Sequence, residues 1–163
     1  MIEICQSCGA KVPPSTTGAT HNYLDASPGC WARFGEVLSR EYSDVTYFSV
    51  HALTVDAYAL QHPGQESPKT IQSINLHLAS LYAYYKQHVA LHELAQLKST
   101  VAKQKNHFCW LEPPENLGTI AVNDVWKSET AQQHRESVIY WGEIVLNCWR
   151  SHYKYIEEIC LFI

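Results

Sequence analysis

Charge is scarce in this chain of 163 residues: Asp, Glu, Lys and Arg together make up 17% of it. Sixteen acidic residues outnumber twelve Lys and Arg, for a formal net charge of -4. A nucleic-acid binder needs a basic face, so that class of partner is not expected. Long apolar runs are also missing. None approaches the ~20 residues that a helix needs to cross a bilayer. The N-terminus, Met1-Ile2-Glu3-Ile4-Cys5, carries neither the basic nor the apolar region of a secretory signal. A cytoplasmic protein with no membrane partner is therefore expected. The G-x-S-x-G elbow, the phosphate loop, the dinucleotide fingerprint, the kinase motifs and the H-E-x-x-H of zinc peptidases are all absent. No β-alternation and no internal repeat is visible.

What is present is a globular composition. Hydrophobic residues make up 46%, with five Trp, ten Tyr and nine His. That load of amphipathic rings can fill a core and still offer polar tips. The length suits a single domain over residues 1–163, with room for a real core. Six cysteines would suggest disulfides in a secreted chain. In a reducing compartment, closely spaced thiols are read as metal ligands instead.

The strongest chemical signal lies in residues 1–27 and the turn that follows. Cys5-Gln6-Ser7-Cys8-Gly9 is a C-x-x-C-G knuckle, His21 follows, and Ser27-Pro28-Gly29-Cys30 opens a helix. The two-residue gap lets Cys5 and Cys8 reach one ion. Cys30 falls in a first helical turn, where free N–H groups and the helix dipole favour the thiolate that binds metal. Cys5, Cys8, His21 and Cys30 make a tetrahedral set for zinc, and His51 is the substitute for His21. The competing reading makes Cys30 a small buried hydrophobe and His21 a surface loop residue. Four protein ligands would make the ion structural. Three and a water would open it to catalysis. Cys109, Cys148 and Cys160 have no partners at ligand spacing and read as core or near-surface thiols.

The remainder, residues 28–163, reads as an all-α bundle of about five helices, the first 27 residues being a metal-binding loop segment. Ser27-Pro28 is a start signal for a helix through Trp31, Phe34, Val37 and Leu38, ending near Tyr42-Ser43. A second helix runs from about Thr46 to Gln61 and stops at His62-Pro63-Gly64. Ser67-Pro68 starts a third, through Ile71, Ile74, Leu78, Leu81 and Tyr85 to about Gln87. A fourth covers Ala90 to Lys103, with no Gly or Pro marking the break before it. Residues 106–122 read as an ordered loop with a short extended piece at Thr119–Val122, and Asn123 or Asp124 caps a turn through Trp126. From about Glu129 to Ile159 the spacing predicts one long helix or two collinear ones.

A second polar group falls on these helices. His51, Tyr58 and His62 share one stripe of the second helix, Asp56 lies on another face, and His77 comes from the third. A histidine cluster with a carboxylate can form an acid–base or metal site. The bland alternative is that these rings satisfy one another inside the bundle while Asp56 holds Arg33 or Arg40. His88 and His92 form an H-x-x-x-H pair on a charged helix, read as solvent-facing. Lys98, Lys103 and Lys105 read as a solvated helix face.

The runs Ser27-Pro28-Gly29-Cys30-Trp31, His51-Ala52-Leu53-Thr54-Val55-Asp56-Ala57-Tyr58-Ala59-Leu60-Gln61-His62-Pro63-Gly64 and Trp110-Leu111-Glu112-Pro113-Pro114 resemble a family of bacterial proteins known only as a domain of unknown function. Cys5, Cys8, Gly9 and His21 match its opening turn and later histidine. The resemblance spans nearly the whole chain. It implies a single bacterial domain with a metal-type N-terminus and supplies no reaction. The residues themselves support two functions. One is a binding or interaction domain with a structural zinc, its partner a protein or a small molecule. The other is a metal-dependent hydrolase or transferase using His51, Asp56, Tyr58, His62 and His77.

Overall fold

Two Ser-Pro pairs start two long helices where the sequence places them. The Ser27 hydroxyl accepts from the Cys30 N–H at 3.3 Å, and the Ser67 hydroxyl accepts from the Thr70 N–H at 3.1 Å. The computed structural model describes residues 1–161. Its elements run β1 (Glu3–Ile4), β2 (Lys11–Val12), α1 (Pro28–Ser43), α2 (Val45–Phe48), α3 (His51–Gln61), α4 (Pro68–Gln87), α5 (Leu94–Ala102), α6 (Val122–Trp126), α7 (Ala131–Cys148) and α8 (Tyr153–Cys160). Short 3-10 turns precede α5, follow it and link α7 to α8.

The all-α reading holds, with eight helices among the described residues instead of about five. Two predicted stretches divide, the turn expected through Trp126 counts as a helix of its own, and a further one starts late. The stretch from Thr46 to Gln61 is two helices: Asp44 caps the first by accepting from the Thr46 N–H at 2.8 Å, and the chain turns at Ser49-Val50 before His51. Ala90–Lys103 opens as a 3-10 turn and becomes α-helical at Leu94. The C-terminal stretch is two helices joined by a turn at Arg150–His152. Of the extended piece expected at Thr119–Val122, Ala121 has an extended backbone (φ -139, ψ 173). Val122 already belongs to α6, whose first turn is closed by Asp124 accepting from the Ala121 N–H at 3.0 Å. Residues 1–27 also contain a small antiparallel hairpin, with Glu3 opposite Val12 and Ile4 opposite Lys11.

α3 is the central element. It packs against α4 on one side and α7 on the other. Leu53, Ala57, Tyr58 and Leu60 are fully buried, and so are the polar Thr54, Asp56 and Gln61. A helix covered on every side has no polar face, so its sequence shows little amphipathic periodicity. α4 also carries α5 and α8, and α1 carries α2 and α6.

The loop over residues 108–121 is pinned to this centre by one amide. Gln61 Nε2 donates to the carbonyls of Leu117 (2.9 Å) and Ile120 (2.7 Å), while its Oε1 accepts from Trp141 Nε1–H at 3.0 Å. Gln61 and Trp141 are both fully buried. Gln61→Ala leaves a buried indole N–H without an acceptor and two carbonyls without their donor. The expected loss is about 2–4 kcal/mol, read as a lowered urea midpoint at unchanged slope. A loss below about 0.5 kcal/mol, the range of an ordinary surface change, would mean that water replaces the amide.

Candidate metal centre

The hairpin turn brings the first two thiols together by backbone bonding. The Cys5 N–H donates to the Ala10 carbonyl at 3.0 Å and the Gly9 N–H to the Cys5 carbonyl at 2.9 Å. Gly9 sits at φ +70, a left-handed conformation that suits glycine. The knuckle then rests on the N-terminus of α1, where the Gly29 N–H donates to Glu3 Oε1 at 2.6 Å. A Cβ on Gly29 would lie 2.4 Å from the Pro13 carbonyl oxygen, so only glycine lets the hairpin approach this closely.

A strap at residues 22–25 ties the knuckle to the end of α3. Asp25 accepts from Gln6 Nε2 at 2.8 Å and from the Ser7 hydroxyl at 3.0 Å, and its N–H donates to the His62 carbonyl at 3.0 Å. Leu24 and Pro63 form a bridge beside it. The outcome is one cluster from three elements: Cys5 and Cys8 from the hairpin, Cys30 from the first turn of α1, and His62 from the C-cap of α3. Their ligand atoms all lie within 4.8 Å of one another. Cys30 and His62 are 0% exposed and Cys5 1%, while Cys8 is half-buried.

The geometry and the donor chemistry both fit a tetrahedral ion. Cys8 Sγ lies 3.7 Å from Cys30 Sγ, and Cys30 Sγ lies 3.3 Å from His62 Nε2. Zinc bonds of about 2.3 Å to sulfur and 2.0–2.1 Å to nitrogen give tetrahedral edges of about 3.8 and 3.6 Å. His62 is held in the right tautomer. Its Nδ1 lies 2.7 Å from the Tyr58 carbonyl oxygen, which can only accept, so Nδ1 carries the proton and Nε2 presents a lone pair to the sulfurs. Behind Cys30, the Tyr58 hydroxyl donates to Sγ at 3.6 Å, and the Tyr58 ring stacks on Phe34 at 3.8 Å and lies 4.0 Å from His62.

The electrostatics are compatible with a cation. Hydrogen bonds from Cys30 and Cys8 pull Cys5 far below the ordinary thiol range, against its burial. Hydrogen bonding with Cys5 and Cys8 pushes Cys30 far above it, helped by burial and by charge repulsion from the same two sulfurs. Burial alone would lower His62, but the neighbouring thiolates push it up to about 9. A buried group of sulfurs that cannot all ionise unaided suits a cation, which could supply the positive charge while the imidazole stays neutral.

Three of the four predicted ligands therefore come together, and the fourth does not. His21 stays outside the cluster. Its Nδ1 accepts from the backbone N–H groups of Tyr23 (3.3 Å) and Leu24 (3.2 Å), and its ring packs edge-on against Tyr23 and beside Trp31. The lone pair a metal would need is spent on its own turn. His51, the substitute, has Nδ1 2.7 Å from Glu41 Oε2 and Nε2 3.3 Å from the Tyr42 hydroxyl. His62 takes the position, although its spacing from Cys30 points to no known motif. The cue in the sequence is a histidine at a helix end, directly before Pro63-Gly64, on the same stripe as Tyr58.

The polar group proposed across the second and third helices separates into three. His62 and Tyr58 belong with the cysteines. His51 belongs with Glu41, which is fully buried and also accepts from the Thr54 hydroxyl and His134 Nε2. Asp56 is fully buried and accepts from His77 Nδ1 (2.7 Å), Lys98 Nζ (2.8 Å) and the Ser80 hydroxyl. Its cation is Lys98, and neither arginine is available: Arg33 pairs with Glu36 at 2.6 Å and stacks 3.7 Å over Trp126, while Arg40 donates to the carbonyls of Trp126 and Ser128.

No helix of the described residues is long and apolar enough to cross a membrane. Comparison with curated proteins and with solved structures gives no match. Residues 3–150, which contain every ligand of the cysteine–histidine cluster and nearly all of the bundle, match the family described as Family of unknown function (DUF5946), and the chain belongs to that family.

Proposed function

We propose that Cys5, Cys8, Cys30 and His62 hold one structural zinc ion, and that the protein is a cytoplasmic binding or interaction domain and not a zinc enzyme. The observation that carries this reading is the mutual approach of four ligand atoms within 4.8 Å. Four protein ligands close a tetrahedral shell and leave no position for a reacting water. Sulfur-rich donors favour zinc over the oxygen-seeking Mg²⁺ and Ca²⁺. The ion would fasten the hairpin and the strap to the ends of α1 and α3, a region with little apolar surface of its own.

Two clefts support binding at places other than the four ligands themselves. One of about 600 Å³ lies between the strap and the start of α4, lined by Tyr23, Asp25, Pro63, Gly64, Ser67 and Thr70. Another of about 530 Å³ lies between the loop and the end of α7, lined by Pro114, Gly118, Ile144, Cys148 and Arg150. Both have the volume of a small-molecule site, and none of the four ligands lines either. The acidic balance of the chain disfavours nucleic acid as the partner.

Elemental analysis and X-ray absorption at the zinc edge test this reading on the purified protein. One zinc per chain with three sulfurs and one nitrogen is expected. His62→Ala should lower zinc affinity by at least about 10-fold, as loss of a ligand must exceed the 10–100-fold of an outer-shell change, while His21→Ala should leave it unchanged. An oxygen in the shell would move the reading to an open, catalytic site. Absence of stoichiometric metal would overturn it.

A further inference from the structure

The four members of the cysteine–histidine cluster are unequally covered. Cys30 and His62 are 0% exposed and Cys5 1%, but Cys8 is only half-buried, on a turn that also carries the exposed Gln6 and Gly9. A small solute arriving from solvent therefore meets the Cys8 sulfur first. The Sγ of the fully buried Cys30 lies 3.7 Å from it. One sulfur of the pair is accessible, the other is sheltered, and they sit on different elements.

We propose that Cys8 and Cys30 are a redox pair: a hydroperoxide oxidises Cys8, Cys30 closes a disulfide with it, and the cluster gives up its ion. This rests on the zinc reading above and adds a regulation to that site.

A zinc ligand stays deprotonated at neutral pH, and the thiolate is the form that peroxides oxidise. Accessibility then selects Cys8 among the three sulfurs. Cys30 is the resolving sulfur because a Cys8–Cys30 bond joins the hairpin to α1. The two sulfurs close from 3.7 Å to about 2.05 Å by a shift of one element on the other. A Cys5–Cys8 bond would instead have to form inside a turn that the Cys5 backbone pins through its bonds to Ala10 and Gly9. Reversible disulfides of this kind are the ones that occur in reducing compartments.

The step balances with the hydroperoxide as oxidant. The Cys8 thiolate attacks the terminal peroxide oxygen, an S–O bond forms and the O–O bond breaks. Its electron pair leaves on the other oxygen, which takes a proton from water. The Cys30 thiolate then attacks the Cys8 sulfur, an S–S bond forms and the S–O bond breaks. Hydroxide leaves and is protonated to water. Two electrons pass from the two sulfurs to the peroxide. Cys5 and His62 remain, too few donors to hold a tetrahedral ion.

Oxidation would thus exchange a metal link for a covalent one. The hairpin stays stapled to α1, while the end of α3 is freed from the cluster at His62. The cleft of about 600 Å³ is lined by Asp25, Pro63 and Gly64, next to that end. Its wall is then held by the Asp25–His62 backbone bond and the Leu24–Pro63 bridge without help from the ion.

The test uses hydrogen peroxide on the full chain after its zinc content has been measured. A chromophoric chelator follows the metal, and a peptide map without reductant follows the thiols. One zinc released and one Cys8–Cys30 disulfide per chain are expected, both reversed by dithiothreitol and added zinc. Dimedone present during the reaction should trap the sulfenic acid at Cys8. Cys109, exposed and outside the cluster, is the internal control, and Cys109→Ser should leave zinc release unchanged. Oxidation of Cys109 while zinc stays bound and the cluster thiols stay reduced would overturn the proposal and leave the zinc reading standing. A Cys5–Cys8 disulfide, or a first sulfenic acid at Cys5, would overturn the assigned pair. Absence of zinc before any peroxide is added would remove the zinc reading and this proposal with it.

Discussion

Cys30→Ser is expected to release the metal and free residues 1–27 while leaving the helical bundle in place. Cys30 is the only cluster sulfur carried by a helix of the bundle, and its Sγ faces both Cys8 and His62. Removing it breaks the shell where the hairpin meets the bundle. Serine is nearly isosteric, so packing around position 30 changes little and the effect is on binding. An ion that binds only the folded state stabilises it by mass action, about 4 kcal/mol when free zinc is about 1,000 times its Kd. A strong chelator should remove the same amount from the wild type and nothing from the variant. Hydrogen exchange gives the spatial readout: protection should be lost in the hairpin and strap and kept in α3 and α4, whose Leu53, Leu60, Leu78 and Leu81 form a core without the metal. If chelation leaves the unfolding midpoint of the wild type unchanged, the ion has no structural role.

The limits of the sequence reading are physical, and they fall at identifiable residues. Cys5, Cys8 and Cys30 were legible because a knuckle and a helix start are local: the spacing itself determines where the thiols point. His62 was not, because it reaches Cys30 only after α1 has crossed to α3 and Asp25 has bonded to the His62 carbonyl. Proximity in the chain favoured His21, whose Nδ1 is consumed by its own turn. The two Ser-Pro starts were readable for the same local reason. The end of α4 carried no Gly or Pro because His88 itself takes the left-handed cap, at φ 59, with its N–H on the Ala83 carbonyl. The break between α2 and α3 carries no Gly or Pro, and Ser49 keeps a helical conformation (φ -53, ψ -24), so the helical pattern runs on across it. Lys98 as the partner of Asp56 depends on how α5 lies on α4, which no spacing rule encodes.

The largest stability effect away from the metal is expected at Glu41. Both of its oxygens are buried and used: Oε1 accepts from Thr54 and from His134 Nε2 (2.9 Å), and Oε2 lies 2.7 Å from His51 Nδ1. It joins α1, α3 and α7 at one point. Glu41→Ala would strip His134 of its only hydrogen-bond partner among the described residues, since its Nδ1 already has none. Breaking a buried pair by removing one member costs about 3–5 kcal/mol, more than the surface ion pairs of this protein can contribute. Glu41→Gln keeps one acceptor oxygen and should cost about 1–3 kcal/mol. The same carboxylate sets the acid limit. Burial raises its pKa, but the hydrogen bonds from His134, His51 and Thr54 outweigh burial and hold it below its ordinary 4.5. Asp56 behaves alike: burial is outweighed by His77 and Lys98, and it lies below its ordinary 3.8. For a group whose pKa is lowered by folding, the unfolded chain takes up protons first as pH falls. The stabilisation is therefore complete above 4.5 and fades below it, through the folded-state value. Urea midpoints measured from pH 7 downward should hold to about pH 5 and then drop, and Glu41→Gln should flatten that drop, because its amide does not titrate. An acid limb of equal steepness in the variant would place the loss elsewhere, with Asp56 the next carboxylate to replace.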